Sequence, residues 1–442
     1  MILIIGNGIS GVTAARNIRK KSDEPITIIS SESKYFFSRT ALMYVYMGHM
    51  KFEHTQPYEP HFWIKNRIEL KQTFVESIDT DAKTLLCTGG ELLHYDKLIM
   101  ATGSKPNKFG WKGQDAKHVQ GLYSKQDLEN MEANTQGISS AVIVGGGLIG
   151  VEMAEMLLTR NIEVHFLVRE KQFWNNVLPK QDAVFIMKHF EKHHGLHMHY
   201  SDELEEIHVD ESNSAIGITT KNGNKIDCQF VGLTAGVSPN IDFIKKSKIE
   251  TNRGILVNRF LETSVKDVYA IGDCAEFTDA IPGRRSIEQV WYTGKFMGET
   301  VAHTITGNRV EYNPGHWFNS AKFFDIEYQT YGDVLSNLKE GESKFVYQHP
   351  KEEILLHFVF DTVTRRFIGV NNYGIRLRHL VFNAWLDKSA TIEEVLEDLA
   401  SANFDPEFYK TYESDIVAQF NTEFGTHIVA AKRKWWQKLT NA

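Results

Sequence analysis

The chain carries one piece of folding grammar twice. Met1-Ile-Leu-Ile-Ile5 is a continuous apolar run, the pattern of a strand buried on both faces of a parallel sheet. Gly6-Asn-Gly8-Ile-Ser-Gly11 follows at once, then a helical stretch and a second β-rich run, Ile26-Thr-Ile-Ile29. The same order returns in Ala141-Val-Ile-Val144, Gly145-Gly-Gly147-Leu-Ile-Gly150, a helix and a strand over 163–168. Strand, glycine turn, helix and strand within about 30 residues is the context in which G-x-G-x-x-G binds a dinucleotide. The first glycine permits the tight turn, the second lets the backbone approach a pyrophosphate, and the third brings helix and strand together. The helix N-terminus then offers unpaired N–H groups and partial positive charge to the phosphates. A single G-x-G-x-x-G is often only a turn. Two of them, each between a strand and a helix, predict two nucleotide sites, and so electron transfer between two nucleotide cofactors.

The repeat runs further. Leu98-Ile-Met-Ala-Thr-Gly-Ser-Lys-Pro-Asn107 matches Val231-Gly-Leu-Thr-Ala-Gly-Val-Ser-Pro-Asn240, and each follows a stretch with hairpin chemistry, around Gly89-Gly90 and Asn222-Gly223. The 442 residues suggest about three domains. With 42% hydrophobic and 24% charged residues, the composition is globular. Lys+Arg 49 against Asp+Glu 56 argues against a protein that coats nucleic acid. Cys87, Cys228 and Cys274 are too scattered for a disulfide framework, which points to a reducing, cytoplasmic setting. No uninterrupted apolar run has the length of a spanning helix, and the apolar N-terminus lacks the basic leader of a secretory signal.

With Val268-Tyr-Ala-Ile-Gly-Asp-Cys274, preceded by Thr263-Ser-Val-Lys-Asp267, the chain resembles the FAD/NAD(P)-dependent pyridine nucleotide-disulfide oxidoreductase superfamily over residues 1 to about 310. The resemblance implies an α/β fold: two Rossmann-like (ββα three-layer) dinucleotide-binding domains and a small α+β C-terminal domain. The expected layout is an FAD domain over 1–110 and 241–314, an NAD(P) domain over 111–240, and a C-terminal interface or dimerisation domain over 315–442. It implies Gly6, Gly8 and Gly11 at the FAD pyrophosphate and Glu32 at the adenosine ribose. The Val75 backbone would read the adenine, Ala101, Thr102 and Gly103 would pack against FAD, Gly272 and Asp273 would meet the ribityl chain, and Trp291 the isoalloxazine. Gly145, Gly147 and Gly150 would hold the nicotinamide dinucleotide, with Glu152 and Gly236 beside the nicotinamide. In Val168-Arg169-Glu170-Lys171, Arg169 and Lys171 favour a 2′-phosphate and Glu170 opposes it, so the donor is NADH or NADPH.

Disulfide reductases of this superfamily, and the related NADH oxidases, carry cysteine in the helix after the second strand. Here that region reads Tyr35-Phe-Phe-Ser-Arg39-Thr-Ala-Leu-Met-Tyr44. A thiolate cannot be improvised from arginine. The pattern resembles instead the rubredoxin and ferredoxin reductase, nitrite reductase flavoprotein and apoptosis-inducing factor branch, which implies that Arg39 meets the flavin or its phosphates. Lys322 and Phe323, on an expected strand, are candidates for a segment brought against the flavin, with ordinary core strand as the other reading. The run His189, His193, His194, His197 and His199 reads as a solvated histidine-rich surface, not a metal site. Lys432-Arg-Lys-Trp-Trp-Gln-Lys438 reads as a last helix burying its tryptophans, or else as a dock for an acidic carrier or membrane.

The expectation is therefore an FAD-dependent NAD(P)H oxidoreductase that passes electrons to an iron protein, a quinone or dioxygen, with homodimerisation open. The alternatives are a thiol-dependent disulfide or CoA-disulfide reductase or NADH oxidase, and an FAD-binding interaction or redox-signalling protein with little turnover.

Overall fold

The structure is a computed structural model that describes residues 1–245, 247–404 and 410–431. The basic tail from Lys432 to Lys438 lies outside the described residues. By contact, the chain divides into two compact units: Met1–Leu167 with Asp202–Pro314, and Val168–Ser201 with Gly315–Ala442. The expected layout follows sequence repeats; the division by contact keeps both nucleotide motifs in one unit and groups Val168–Ser201 with the C-terminal third.

In the first unit, the strands Val268–Ala270, Lys97–Met100, Ile2–Ile5, Ile26–Ser30 and Ile68–Gln72 lie in that order in a parallel sheet. Their continuous apolar character follows from burial on both faces: Ile2, Leu3 and Ile4 are at most 1% exposed. Helix Ile9–Arg19 covers this sheet beside helix Trp291–Ile305. The two helices approach closely because Gly294 and Gly298 lie at the crossing; a Cβ on Gly298 would stand 2.5 Å from the Ser10 carbonyl oxygen.

The second repeat builds the same way, with Glu163–Val168, Ser140–Val144, Phe230–Leu233 and Val119–Gln120 in parallel. Each half carries an antiparallel meander: Val75–Asp79, Thr84–Cys87 and Glu91–His94 in one, Leu204–Val209, Ala215–Thr220 and Lys225–Asp227 in the other. The repeated segments then pair with each other. Ser104–Pro106 runs antiparallel to Val237–Pro239, Asn107 N donates to the Gly236 carbonyl (3.1 Å), and Asn240 N donates to the Gly103 carbonyl (2.9 Å). The two halves are thus joined at equivalent points by equivalent bonds.

The second unit holds an antiparallel sheet in the order Phe318–Phe323, Ile326–Gly332, Phe367–Tyr373, Leu355–Asp361 and Glu342–Gln348. Alternate residues Leu356, Phe358 and Phe360 join the core formed with helices His379–Asp387, Ile392–Glu397 and Glu413–Phe424. Their neighbour His357 points the other way, toward helix Lys180–Phe190. There the fully buried Asp182 receives His357 Nδ1 (2.6 Å), Asn371 Nδ2 (2.8 Å) and Tyr373 Oη (3.1 Å). A carboxyl group at this depth is tolerable only because each of its oxygens has a hydrogen-bond partner. Asp182→Ala leaves His357 and Tyr373 buried beside a void, and a loss of about 3 kcal/mol is expected. Urea unfolding followed through the second unit's tryptophans measures it; a change below about 1 kcal/mol would show that the network does not hold helix to sheet.

Candidate functional site

Both glycine turns have the same steric logic. Gly6 (φ +112°) and Gly145 (φ +114°) turn the chain off their strands. A Cβ on Gly6 would lie 2.1 Å from the Ala101 carbonyl oxygen, and one on Gly145 2.8 Å from Ala235 Cα. The third glycine of each motif touches the first: a Cβ on Gly11 would meet the Gly6 carbonyl oxygen at 2.1 Å, and one on Gly150 the Gly145 carbonyl oxygen at 2.5 Å. The middle glycines differ. Beside Gly8 there is nothing within 4 Å, and beside Gly147 only the Thr234 carbonyl oxygen at 4.0 Å. Gly8 and Gly147 begin helices Ile9–Arg19 and Leu148–Leu158, which have neither a side-chain cap nor an acidic residue in the first turn. Each helix therefore presents uncapped N–H groups and an uncompensated positive end to open space. Each is a candidate cradle for a pyrophosphate.

Beside the first cradle, the turn Gly272–Cys274 follows strand Val268–Ala270. It presses on the helix start, for a Cβ on Gly272 (φ +72°) would stand 2.4 Å from Ser10 Oγ. Asp273 is surrounded by neutral donors: Ser104 Oγ donates at 3.1 Å and Tyr123 Oη at 3.4 Å, while Gln289 Nε2 donates to Ser104 Oγ at 2.8 Å. Burial, before any other cause, raises its carboxyl above the ordinary value. A half-buried carboxylate among hydroxyls suits a polyhydroxylated ligand. Ala101 donates its N–H to the Ile5 carbonyl (2.8 Å), Thr102 Oγ1 donates to the Asn240 carbonyl (2.8 Å), and Gly103 lies against the Tyr123 hydroxyl. Val75 is buried at the start of its strand, and Trp291 opens its helix at 37% exposure.

Glu32, expected at the adenosine ribose, and Arg39, expected at the flavin or its phosphates, hold each other. Arg39 Nη1 and Nη2 donate to the two oxygens of Glu32 at 2.8 and 2.7 Å, a bidentate pair, and the Lys125 N–H adds a third bond to Glu32 Oε1 (2.8 Å). The Arg39 guanidinium lies 4.5 Å over the Tyr123 ring and donates to the Tyr123 carbonyl. Tyr123 thus touches Arg39, Ser104, Gly103 and Asp273 at once. Sequence reasoning missed it, because Gly121-Leu-Tyr123 belongs to no motif and its neighbours come from three distant segments.

At the second cradle, Thr234 Oγ1 donates toward the Val144 and Gly145 carbonyls (3.0 and 3.1 Å), and Gly236 (φ +85°) carries the turn that follows. Glu152 lies one turn into the helix, half-buried, and has no hydrogen-bond partner among the described residues. Burial first, then Glu155, pushes its carboxyl up to about 7.

Three other candidates belong to the second compact unit. Arg169 pairs with its neighbour Glu170 (2.7 Å). Phe323 is fully buried and its ring meets those of Phe173, Trp174 and Tyr328, the arrangement of a core strand. Lys322, on the same strand as Phe323, stands opposite Glu327 of the neighbouring strand. The reading of the histidine run as solvated surface needs correction at His189, which is 2% exposed: the helix turns its inner face, with Phe185, Ile186 and Phe190, toward the sheet. All three cysteines are free and buried, and burial raises each thiol, Cys228 to about 12. None is a thiolate near neutral pH.

The family description pyridine nucleotide-disulphide oxidoreductase matches residues 1–298. The chain belongs to this family. It is 31% identical over 283 residues to NADH-rubredoxin oxidoreductase of Clostridium acetobutylicum, an alignment spanning 64% of this chain and 70% of that one. To the NADH oxidase of Methanocaldococcus jannaschii it is 30% identical over 341 residues, 74% of each chain. Among solved structures, the NAD-dependent persulfide reductase from A. fulgidus superposes with a TM-score of 0.80 at 24% identity, covering 96% of this chain and 84% of that one. A ferredoxin reductase from Rhodopseudomonas palustris gives 0.78 at 23% identity, covering 88% and 95%. At those identities the structural likeness shows the fold. The activity is that of an FAD-dependent NAD(P)H oxidoreductase, with FAD and a nicotinamide dinucleotide as cofactors. No helix among the described residues is long and apolar enough to cross a membrane.

The glycines separate binding from folding. Gly147→Val places a side chain in open space, so the protein is expected to purify yellow with an unchanged melting temperature but a KM for its dinucleotide raised at least about tenfold, or 1.4 kcal/mol. Gly150→Val drives the side chain into backbone and should give insoluble protein. Equal behaviour of the two variants in soluble yield and flavin absorbance would refute the assignment of open and filled positions.

Proposed function

We propose that the first cradle holds FAD and the second NAD(P)H, and that electrons leave for a small iron protein with no thiol intermediate. The observation that carries this reading is the direct pairing of Ser104–Pro106 with Val237–Pro239, which joins the strand ends behind both cradles. The bound cofactors supply hydride transfer from nicotinamide C4 to flavin N5. The protein supplies placement. Gly6, Gly8 and Gly11 seat the FAD pyrophosphate, and Glu32 takes the ribose while Arg39 fixes that carboxylate. The Val75 backbone and the Ala101, Thr102 and Gly103 turn flank the cofactor, Gly272 and Asp273 accept from its hydroxyls, and Trp291 closes the ring side. Gly145, Gly147, Gly150 and Gly236 seat the dinucleotide, with Glu152 beside its reactive end.

The acceptor class is supported by the relative named for rubredoxin; the relative named as an NADH oxidase makes dioxygen the competing outcome. Glu170 pairs with Arg169 while Lys171 stands next in sequence, which keeps NADH and NADPH both in contention. A reducing, cytoplasmic setting is supported by the three free cysteines.

Anaerobic stopped-flow mixing with NADH and with NADPH should bleach the flavin absorbance before reoxidation by an acceptor panel of rubredoxin, ferredoxin, a quinone and dioxygen. Replacing Cys87, Cys228 and Cys274 together by alanine should leave the rate of bleaching within about twofold, under 0.5 kcal/mol of barrier. A folded, yellow triple variant that no longer bleaches would overturn the thiol-free reading. Reoxidation by dioxygen alone would overturn the acceptor.

Glu152 gives a pH test. Its carboxyl rises from an ordinary 4.5 to about 7 on folding, so folding favours the protonated form. The sign follows: its contribution is fully present below about pH 4.5 and is lost as pH rises through 7. The melting temperature of Glu152→Gln, which stays neutral, should gain on the wild type progressively between pH 5 and 8. A difference independent of pH would show that Glu152 does not titrate there.

A further inference from the structure

We propose that His189, His193 and Asp325 form a binding site for a divalent transition-metal ion of the zinc type in the second compact unit. His189 stands in the last turn of helix Lys180–Phe190, and His193 follows four residues later. Asp325 comes from the two-residue turn between strands Phe318–Phe323 and Ile326–Gly332. Three donor atoms converge. His189 Nε2 is 2.9 Å from Asp325 Oδ1 and 3.1 Å from His193 Nε2, and His193 Nε2 is 3.7 Å from Asp325 Oδ1. A tetrahedral zinc ion with bonds of about 2.0–2.1 Å has ligand–ligand edges of roughly 3.3–3.4 Å. The three separations bracket that edge, so the donors outline one face of a coordination tetrahedron.

The surroundings orient the donors. His189 Nδ1 faces Glu353 Oε1 at 3.0 Å, and Glu353 is itself held by Lys192 Nζ at 2.6 Å. A carboxylate on the far nitrogen fixes the tautomer, leaving the Nε2 lone pair toward the ion. His193 stacks on Phe324, ring centroids 4.3 Å apart, which sets its plane. The C-terminal end of the helix favours a cation. A single proton on His189 Nε2 can serve either Asp325 or His193. A cation satisfies all three lone pairs together. Two imidazoles and one carboxylate suit zinc, cobalt or nickel, whereas magnesium and calcium prefer oxygen donors throughout. The ion would pin the helix end to the hairpin, with the fourth corner open to water.

The test is zinc uptake by the intact flavoprotein. After incubation with zinc sulfate and gel filtration, elemental analysis should find about one zinc per wild-type chain. Asp325 is 75% exposed, so Asp325→Asn should fold normally and retain less than about a tenth of that zinc. Glu353→Gln should weaken binding about tenfold without removing a ligand. The melting temperature should rise with zinc in the wild type and stay unchanged in Asp325→Asn. No uptake by the wild type, or equal uptake and equal thermal shift in both proteins, would overturn the site and leave His189 as a histidine hydrogen-bonded to carboxylates.

Discussion

The architecture of the first unit depends on a place where two backbone segments touch with no side chain between them. The third glycine of each motif rests on the carbonyl of the first, at Gly11 on Gly6 and at Gly150 on Gly145. Any Cβ there would push the helix off the strand end. Because it is absent, the helix axis points at the space above the carboxyl ends of the sheet, and the polar N-terminus faces that space uncapped. The same contact sets the neighbouring strand, since Gly6 also packs under Ala101 and Gly145 under Ala235. Those alanines begin the two segments that pair with each other. Local glycine geometry, repeated, thereby fixes the join between the halves.

What could be read in the chain alone was whatever is local in sequence. Apolar runs, glycine spacing and hairpin turns each act within some 30 residues, and the strands Ile2–Ile5 and Ser140–Val144 with their helices fall where the grammar puts them. The interactions that were not legible join distant segments. Tyr123 gathers residues 39, 104 and 273. Glu32 and Arg39 are seven residues apart, yet spacing alone does not show that their charges meet face to face. Asp182 looks like an ordinary acidic residue in a helix's first turn until His357, Asn371 and Tyr373 arrive from the sheet. His189 reads as surface for the same reason: its cover is Asp325 and Glu353, more than 130 residues downstream.

The distribution of charge follows from this. Asp273 and Glu152, one beside each cradle, are burdened by desolvation and lack an ion-pair partner, while Glu32 is paired by a bidentate arginine. A carboxyl left without a cation in a half-buried site has hydrogen-bonding capacity free for a ligand, and its raised pKa is the cost of keeping that capacity open. The thiols show the reverse case. Cys274 follows Asp273 directly, yet it is turned into the core, where its sulfur donates to the Met100 and Ile271 carbonyls. A thiol that is fully buried and hydrogen-bonded as a donor is neither nucleophile nor leaving group. The scaffold here keeps two uncapped glycine-rich helix starts, each with an unpaired carboxyl nearby, and buries all three cysteines. Under the reading proposed above, the flavin would pass its electrons straight to the acceptor, with no thiolate available to attack one.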